Sequence, residues 1–155
     1  MAEYTAKITW QRASDEAFTD QKYSRAHQWD FDGGARVAAS PSPHIVPLPY
    51  SVEANVDPEE AFVASLSSCH MLFFLQLAAK HKFIVDSYTD NALGVMGKNE
   101  EGKMSMTKVT LRPKVTFSGD NQPTLVQLEN MHHQSHELCF IANSVKTQVV
   151  TEIQE

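Results

Sequence analysis

Two cysteines, Cys69 and Cys139, are the residues of this sequence best suited to redox chemistry, and the chain has no others. The first residues lack the basic and apolar segments of a secretory signal, so we expect a cytoplasmic protein in a reducing compartment. Cysteines there are structural thiols, metal ligands or redox-active groups rather than a disulfide framework. Buried, inert thiols are the commonest case, so the surroundings of the two cysteines must decide.

Each cysteine lies in a predicted helix, Cys69 in the middle of SLSSCHMLFF and Cys139 near the end of HHQSHELCFIANS. A thiol becomes a nucleophile only as the thiolate, which needs a cation or hydrogen-bond donors nearby. Neither helix has a lysine or arginine within one turn of its cysteine. We therefore expect the cation to come from the N-terminal segment, which carries Arg12, Arg25 and Arg36.

Short strands and a stiff loop are predicted before the first helix. Alternating residues rich in β-branched and aromatic side chains predict strands at Tyr4–Trp10, Tyr23–Phe31 and Arg36–Ala39, with a turn at Asp32–Gly34. We expect these strands to form an antiparallel meander. In the loop from Ser40 to Val56, four prolines prevent regular strand pairing, and the apolar residues between them indicate a binding wall or lid.

The first helix has a clear start at Asp57-Pro58-Glu59-Glu60, with Asp57 as N-cap and the glutamates where the helix dipole favours anions. We expect it to end at about Lys80–Lys82. Its second half, Met71–Ala79, is apolar nearly all round, which indicates burial on every side. That stretch alone is too short to span a bilayer.

The remaining pattern predicts strands at Val85–Met96 and Met104–Phe117, a helix from Thr124 to about Cys139, and a last strand within Ser144–Ile153. The order β-β-β-α-β-β-α-β predicts an α+β fold with helices against antiparallel sheet. A length of 155 residues fits a single domain, 1–155. The formal net charge of −6 disfavours nucleic acid or an anionic membrane as a partner.

The segments DPEEAFVASLSSCH and SHELCFIANS resemble the two cysteine motifs of the OsmC/Ohr family, the osmotically inducible protein C and organic hydroperoxide resistance proteins. The similarity in order and spacing covers nearly the whole chain. Its most specific parts are Pro58-Glu59, ten residues before a mid-helix cysteine, and a His-x-x-Cys in the later helix. The resemblance implies an OsmC-like fold with antiparallel sheets packed on long central helices in an intertwined homodimer.

The resemblance also implies a role for each residue of the site. Cys69 is the peroxidatic cysteine and Cys139 the resolving one, and Glu59 matches the family's glutamate, which would orient an activating arginine. We assign that arginine to Arg25, in KYSRAHQW, with Arg36 as the alternative. The implied reaction reduces an organic hydroperoxide to an alcohol without a cofactor or metal, and an external dithiol, such as a dihydrolipoyl protein, restores the thiols.

The position of Glu59 predicts a shared site. On a straight helix Glu59 lies about 15 Å from Cys69 along the axis. It reaches an arginine beside Cys69 only if the helix is kinked or if the glutamate belongs to a second subunit. The apolar circumference of the helix favours the second subunit, so we expect an obligate homodimer.

Three features depart from the family pattern and bear on substrate preference and subfamily. Phe140 follows Cys139 where many members have proline, and His70 follows Cys69 where an aromatic or apolar residue is common. The proline-rich loop is also extended. We expect apolar side chains around the site to bury the alkyl chain of the peroxide at about 0.8 kcal/mol per CH₂. The candidates for these side chains are Ile45, Leu48 and Phe73.

A metal site is an alternative. By their spacing His132, His133, His136 and Cys139 share one face of the second helix, and with Cys69 they make a candidate zinc site. The other interpretation of the three histidines, which we favour, is a solvated helix face.

Two other functions remain open. A cysteine hydrolase built on Cys69 and His70 is disfavoured, because neighbours on a helix point about 100° apart and no nucleophile elbow accompanies the cysteine. A non-catalytic domain of the same fold that binds lipophilic ligands or acts in a stress response would keep both thiols in its core. Turnover of an organic hydroperoxide separates this last alternative from a peroxidase.

Overall fold

The strands and helices of residues 1–155 are described by a computed structural model, and they group into two units, Met1–Ala61 and Phe62–Glu155. The boundary falls inside the first helix, α1 (Pro58–Lys80). The fold is α+β with two helices, as predicted. The assignment of residues 1–155 to one domain remains a prediction.

Three short strands, β1 (Lys7–Thr9), β2 (His27–Asp30) and β3 (Arg36–Ala39), form an antiparallel meander in the first unit. This confirms the predicted meander, although β1 and β2 are shorter than expected. The turn between β2 and β3 contains Gly34, whose φ of +98° lies in the left-handed region that glycine adopts without strain.

The proline-rich loop is ordered by hydrogen bonds rather than by burial of its apolar residues. The hydroxyls of Ser40 and Ser51, both buried, form hydrogen bonds of 2.8 and 2.7 Å with backbone groups of the same loop. Ile45 and Leu48 are each 56% exposed. The loop therefore presents apolar side chains on an ordered backbone.

Helix α1 begins where predicted. The Asp57 carboxylate accepts a hydrogen bond from the Glu60 backbone N–H at 2.7 Å, and the Glu60 carboxylate accepts one from the Asp57 N–H at 2.8 Å. This reciprocal capping box satisfies two N–H groups at the helix start. The fully buried residues of α1 lie four positions apart and form one stripe: Leu66, His70, Phe74 and Ala78.

The opposite side of α1 is open in the single chain, so the expected burial on every side remains a prediction for the homodimer. Leu72 is 60% exposed, for example. An 18-residue window of α1 has a mean hydropathy of 1.6 and is 22% buried, so the whole helix is long and apolar enough to cross a membrane by length and composition. Its packing against two apolar clusters is typical of a core helix in a soluble fold.

Each of the two long strands predicted after α1 is divided in two. The observed strands are β4 (Ile84–Asp90), β5 (Leu93–Lys98), β6 (Met104–Leu111) and β7 (Pro113–Ser118). β4 pairs with β7, whereas β5 pairs with β6 in a separate sheet. At the break the Arg112 N–H donates to the Asp90 carboxylate at 2.6 Å, and Pro113 has no N–H to donate. The predicted continuity of the two strands is therefore wrong.

The C-terminal part contains α2 (Leu125–Leu138), a 3₁₀ helix (Ala142–Ser144) and β8 (Gln148–Thr151). α2 starts within one residue of the predicted Thr124, which is its N-cap and forms a reciprocal pair of hydrogen bonds with Gln127. β8 runs parallel to β6, whereas the other strand pairs are antiparallel. The long connection through β7 and α2 allows this parallel pairing.

Two apolar clusters hold the second unit together. One is centred on Phe74 and Met131 and joins the second half of α1 to α2, β4 and β7. The other is centred on Leu66 and Leu111 and joins the first half of α1 to β6, β8 and the segment after α2. The cysteine-bearing part of α1 thus lies between two packed regions.

Strand β5 approaches α1 very closely at Gly94. A Cβ atom at this position would lie 2.5 Å from Val63 Cγ2 and 2.6 Å from Met106 Cε. Carbon atoms do not approach so closely, so only glycine fits this contact.

Candidate functional site

The two cysteines lie beside each other in the second unit. The Cys69 side chain lies close enough to the Cys139 thiol to raise the pKa of that thiol. Both residues are free thiols; Cys69 is half-buried and Cys139 is 1% exposed. The fold therefore brings together the two residues for which the sequence predicts redox chemistry.

The local backbone turns the Cys139 sulfur into the protein. Cys139 is the C-cap of α2 and has extended backbone angles, so the chain leaves the helix at this residue. The turn that follows closes back on it, and the Ala142 N–H donates to the Cys139 sulfur at 3.4 Å. The sulfur is therefore held by the segment between α2 and β8.

The two thiols differ in electrostatic environment. Burial raises the pKa of the Cys139 thiol, the neighbouring Cys69 side chain raises it further, and the Ala142 N–H acts in the opposite direction. Cys139 is therefore held as a neutral thiol that solvent does not reach. Cys69 is the more accessible of the two, which suits the residue that meets a substrate first.

A second contact joins the two cysteine-bearing segments. The rings of Phe73, one turn after Cys69, and Phe140, directly after Cys139, meet edge to face with centroids 5.0 Å apart. Phe140 is 70% exposed, so this pair forms an apolar surface next to the thiols. Phe73 was a predicted part of such a surface.

A buried pair of histidines forms a third contact between the helices. His70 Nε2 and His132 Nδ1 are 3.0 Å apart, and the rings are nearly parallel, with an interplanar angle of 8°. The exposed fractions of the two residues are 1% and 3%. His132 also stacks on Phe74, with centroids 4.3 Å apart. One hydrogen bond thus links α1 to α2 inside the core.

The outer nitrogens of this pair, His70 Nδ1 and His132 Nε2, are buried without hydrogen-bond partners. In a neutral pair one imidazole donates and the other accepts, so one outer nitrogen is an N–H and the other a bare lone pair in either tautomer. Burial lowers the pKa of His70 to about 4 and that of His132 to about 3. Both imidazoles are therefore neutral near neutral pH.

Sequence reasoning missed this pair. The solvated-face interpretation is correct for the exposed His133 and wrong for the buried His132. The sequence of α1 contained a signal for the burial of His70, because His70 lies four residues from Leu66 and from Phe74 on the same face of the helix. No comparable signal identified which histidine of α2 would face it.

The candidate zinc site is not assembled. No group of three or more His, Cys, Asp or Glu side chains within residues 1–155 is arranged to hold a metal ion. His132, His133 and His136 instead line a cavity of about 280 Å³ with Glu129 and β8.

Arg25 lies in the first unit, where its own neighbours hold it. Its guanidinium lies 3.9 Å from the centroid of the Tyr23 ring and donates to the carbonyls of Gln21 and Tyr23 at 2.8 and 2.6 Å. Together with the rings of Trp10 and Phe18 it lines a cavity of about 480 Å³. The arginine is thus presented on an aromatic surface.

Glu59 and Arg36 do not complete a site with Arg25 in the single chain. Arg36 pairs with Asp30 at 2.9 Å on the surface. Glu59 Oε2 is buried without a hydrogen-bond partner, and no salt bridge joins Glu59 to Arg25. The orienting contact predicted between the glutamate and the arginine is therefore not formed here.

Two neighbouring thiols on helices packed against small antiparallel sheets define an α+β protein of the OsmC type. The family model for OsmC-like proteins matches residues 52–154. The chain belongs to this family, as its two cysteine motifs predicted.

Solved structures agree with this assignment. An OsmC-like protein of unknown function from Vibrio cholerae is 67% identical, with a TM-score of 0.98, over 99% of this chain and 100% of that one. An organic hydroperoxide resistance protein from Elizabethkingia anophelis is 16% identical, with a TM-score of 0.67, over 98% of this chain and 95% of that one. OhrB, an organic hydroperoxide resistance protein of Bacillus subtilis, is 18% identical, with a TM-score of 0.63, over 97% of this chain and 98% of that one. At the two lower identities the likeness concerns the fold. No curated protein matches the chain.

Proposed function

We propose that this protein is a thiol peroxidase that reduces organic hydroperoxides to alcohols. The observation that carries the proposal is the pairing of an accessible thiol, Cys69, with a buried neutral thiol, Cys139, in a chain with no third cysteine. Membership of the OsmC-like family and a fold shared with organic hydroperoxide resistance proteins support this class of reaction.

The reaction uses each thiol in turn. The Cys69 thiolate attacks the distal oxygen of the hydroperoxide, the O–O bond breaks, and the alkoxide leaves as the alcohol after taking up the proton that Cys69 released. Cys69 is then a sulfenic acid. The Cys139 sulfur attacks the Cys69 sulfur and displaces hydroxide, which leaves as water with the Cys139 proton. An external dithiol reduces the resulting disulfide and is itself oxidised.

Arg25 and Glu59 serve the first step in this proposal. A guanidinium near Cys69 stabilises the thiolate and the charge that develops on the leaving oxygen. The unpartnered Glu59 carboxylate oxygen is available to orient such an arginine. Both groups join Cys69 in the assembled site of the homodimer.

A homodimer is supported by the open apolar side of α1, where Leu72 is 60% exposed. We expect sedimentation at micromolar concentration to show a dimer, and a monomer there would contradict the proposal. Mixing Cys69→Ser subunits with Glu59→Ala subunits should restore activity if the site is shared between chains. Failure to restore activity in a proven dimer would leave the alternative in which Glu59 and Cys69 of the same subunit form the site through a kinked helix.

Substrate preference follows from the apolar surface formed by Phe73 and Phe140. An alkyl chain buried against these rings gains about 0.8 kcal/mol per CH₂, which hydrogen peroxide cannot gain. We propose hydrophobic hydroperoxides as substrates, a dithiol such as a dihydrolipoyl protein as reductant, and the cytoplasm as the location.

Thiol titration before and after one equivalent of tert-butyl hydroperoxide tests the proposal. We expect both thiols to disappear and mass spectrometry to find one intramolecular Cys69–Cys139 disulfide. A stable sulfinic acid on Cys69 with Cys139 still free would refute the resolving role. Unchanged thiols, together with binding of a lipophilic ligand, would instead favour the non-catalytic alternative.

A further inference from the structure

The buried imidazole pair His70–His132 has no part in the proposed reaction, yet it lies where the two cysteine-bearing helices meet. His70 directly follows Cys69 in α1, and His132 lies two turns before Cys139 in α2. The hydrogen bond between the two imidazoles is the only side-chain hydrogen bond that joins α1 to α2.

The energetics of the pair call for an explanation other than stability. Each imidazole leaves one buried nitrogen without a partner, and an unsatisfied buried polar group costs about 1–3 kcal/mol. Apolar residues of similar volume would fill the same space without that penalty. A hydrogen bond, however, is directional, whereas apolar side chains tolerate small displacements of one helix along another.

The pair acts together with the aromatic contact between Phe73 and Phe140. The two contacts lie in the turn of α1 directly after Cys69, the first at His70 and the second at Phe73, three residues further on. Two separated contacts fix both the offset and the angle of one segment relative to another. The sulfur of Cys69 is therefore constrained relative to that of Cys139 before any oxidation occurs.

We propose that His70 and His132 are positioning residues that hold the Cys69 and Cys139 sulfurs at the separation required for disulfide formation. In terms of the proposed function, on which this inference rests, the pair serves the second step, in which Cys139 attacks the Cys69 sulfenic acid. It does not serve the attack on the peroxide, which depends on Cys69 and its arginine.

Variants at position 132 distinguish positioning from packing. Asparagine places an amide group where His132 carries Nδ1, so His132→Asn retains a partner for His70 Nε2. His132→Gln has the same chemical group displaced by one methylene, and His132→Leu removes it. His133→Leu is the matched control, because His133 is an exposed histidine on the same helix.

The first measurement needs no peroxide. In glutathione redox buffers the dithiol protein and oxidised glutathione exchange with the protein disulfide and two reduced glutathiones. We expect His132→Leu and His132→Gln to lower this equilibrium constant about tenfold, since misplacement of reacting atoms reduces their effective concentration. His132→Asn and His133→Leu should remain within about threefold of the wild type.

The second measurement follows the peroxide reaction by trapping the sulfenic acid with dimedone. His132→Leu should form the Cys69 sulfenic acid at the wild-type rate but resolve it about tenfold more slowly, so the trapped fraction rises. If His132→Leu does not fold, the comparison of the asparagine and glutamine variants decides, because both carry a polar amide.

The results separate the two proposals. Equal glutathione equilibria for the folded asparagine, glutamine and wild-type proteins would overturn the positioning role, as would a wild-type protein that forms no Cys69–Cys139 disulfide. Absence of both a sulfenic acid and a disulfide after hydroperoxide treatment of the wild type would overturn the peroxidase proposal, while the glutathione measurement would still decide whether the histidines position the sulfurs.

Discussion

The two units of this protein bury different kinds of residue. In the second unit the fully buried side chains include large apolar ones: Leu66, Phe74, Leu111 and Met131. In the first unit the buried residues are small: Ala39, Ser40, Ser42 and Ser51. The first unit also leaves large apolar side chains exposed, with Tyr4 at 93% and Phe18 at 49%.

This difference bears on two separate properties of the units, namely their stability and the functional groups that they carry. The second unit contains two apolar clusters and both thiols, so it has its own core and both cysteines of the proposed reaction. The first unit is a three-stranded meander that buries little apolar surface of its own, and such a sheet has little independent stability. In the proposed function this unit supplies the activating arginine.

The largest effect is expected from the thiols of the second unit. Cys69→Ser should lower the rate of hydroperoxide reduction by about 10³-fold or more, because the remaining thiol, Cys139, is buried and its raised pKa keeps it neutral. Cys139→Ser should retain a single turnover and stop there. Stopped-flow measurement of peroxide consumption distinguishes the two variants, and appreciable turnover by Cys69→Ser would remove the chemistry from this unit.

A pair of phenylalanine substitutions compares the cores directly. Phe74→Ala should lower the free energy of unfolding by about 4 kcal/mol, because it leaves a cavity in the cluster around Met131. Phe18→Ala, in the exposed aromatic group with Trp10 and Tyr23, should lower it by about 1 kcal/mol. Urea unfolding of both variants provides the test. Equal losses would mean that the first unit has a core comparable to that of the second.

Acid should destabilise the second unit through its histidine pair. The folded pKa values of about 4 for His70 and about 3 for His132 lie below the ordinary value of 6.5. Stability is therefore complete above pH 6.5 and is lost as the pH falls from 6.5 through 4, by about 3 kcal/mol for His70 alone. His136, which lowers the pKa of His70, and Asp90, which raises it, are the charged groups that act on the pair.

Urea unfolding between pH 4 and pH 7 measures this loss. The double variant His70→Leu/His132→Phe lacks both titrating groups, so its stability should change less over the same range. His133→Leu should retain the acid dependence of the wild type, because His133 is exposed. An unchanged acid dependence in the double variant would assign the effect to other groups.

The smallest of the four effects tests the contribution of the first unit. Arg25→Ala should slow the attack on the hydroperoxide by about 10²-fold and leave the fold intact, because loss of one electrostatic donor has that size. Arg36→Ala is the matched control, since Arg36 lies in the same meander and pairs with Asp30. If Arg36→Ala is the slow variant, the activating arginine is Arg36.

Much of the fold followed from local signals. The start of α1 was predictable because Asp57 and Glu60 cap each other through contacts within one turn, and Thr124 did the same for α2. The division of the long strands was not predictable, because it depends on the Arg112 N–H meeting Asp90 from another strand. Periodicity within a strand contains no information on which sheet each half joins.

Prediction of the site was limited in the same way, because contacts between distant elements could not be predicted from local sequence patterns. The motifs around Cys69 and Cys139 allowed the pair to be predicted from a family resemblance. The His70–His132 contact depends on the relative placement of two helices, and neither helix alone specifies it. Single-sequence reasoning therefore singled out the two cysteines and missed the histidine pair between their helices.

The close approach of β5 to α1 has an evolutionary consequence. The space beside Gly94 is occupied by Val63 and Met106, so a relative with alanine at position 94 needs a smaller residue at 63 and a displaced or shorter one at 106. These three positions are far apart in sequence, and none of them has a part in the proposed reaction. We expect them to change together among homologues, so that a substitution at one of them persists only in a background where the others have already made room.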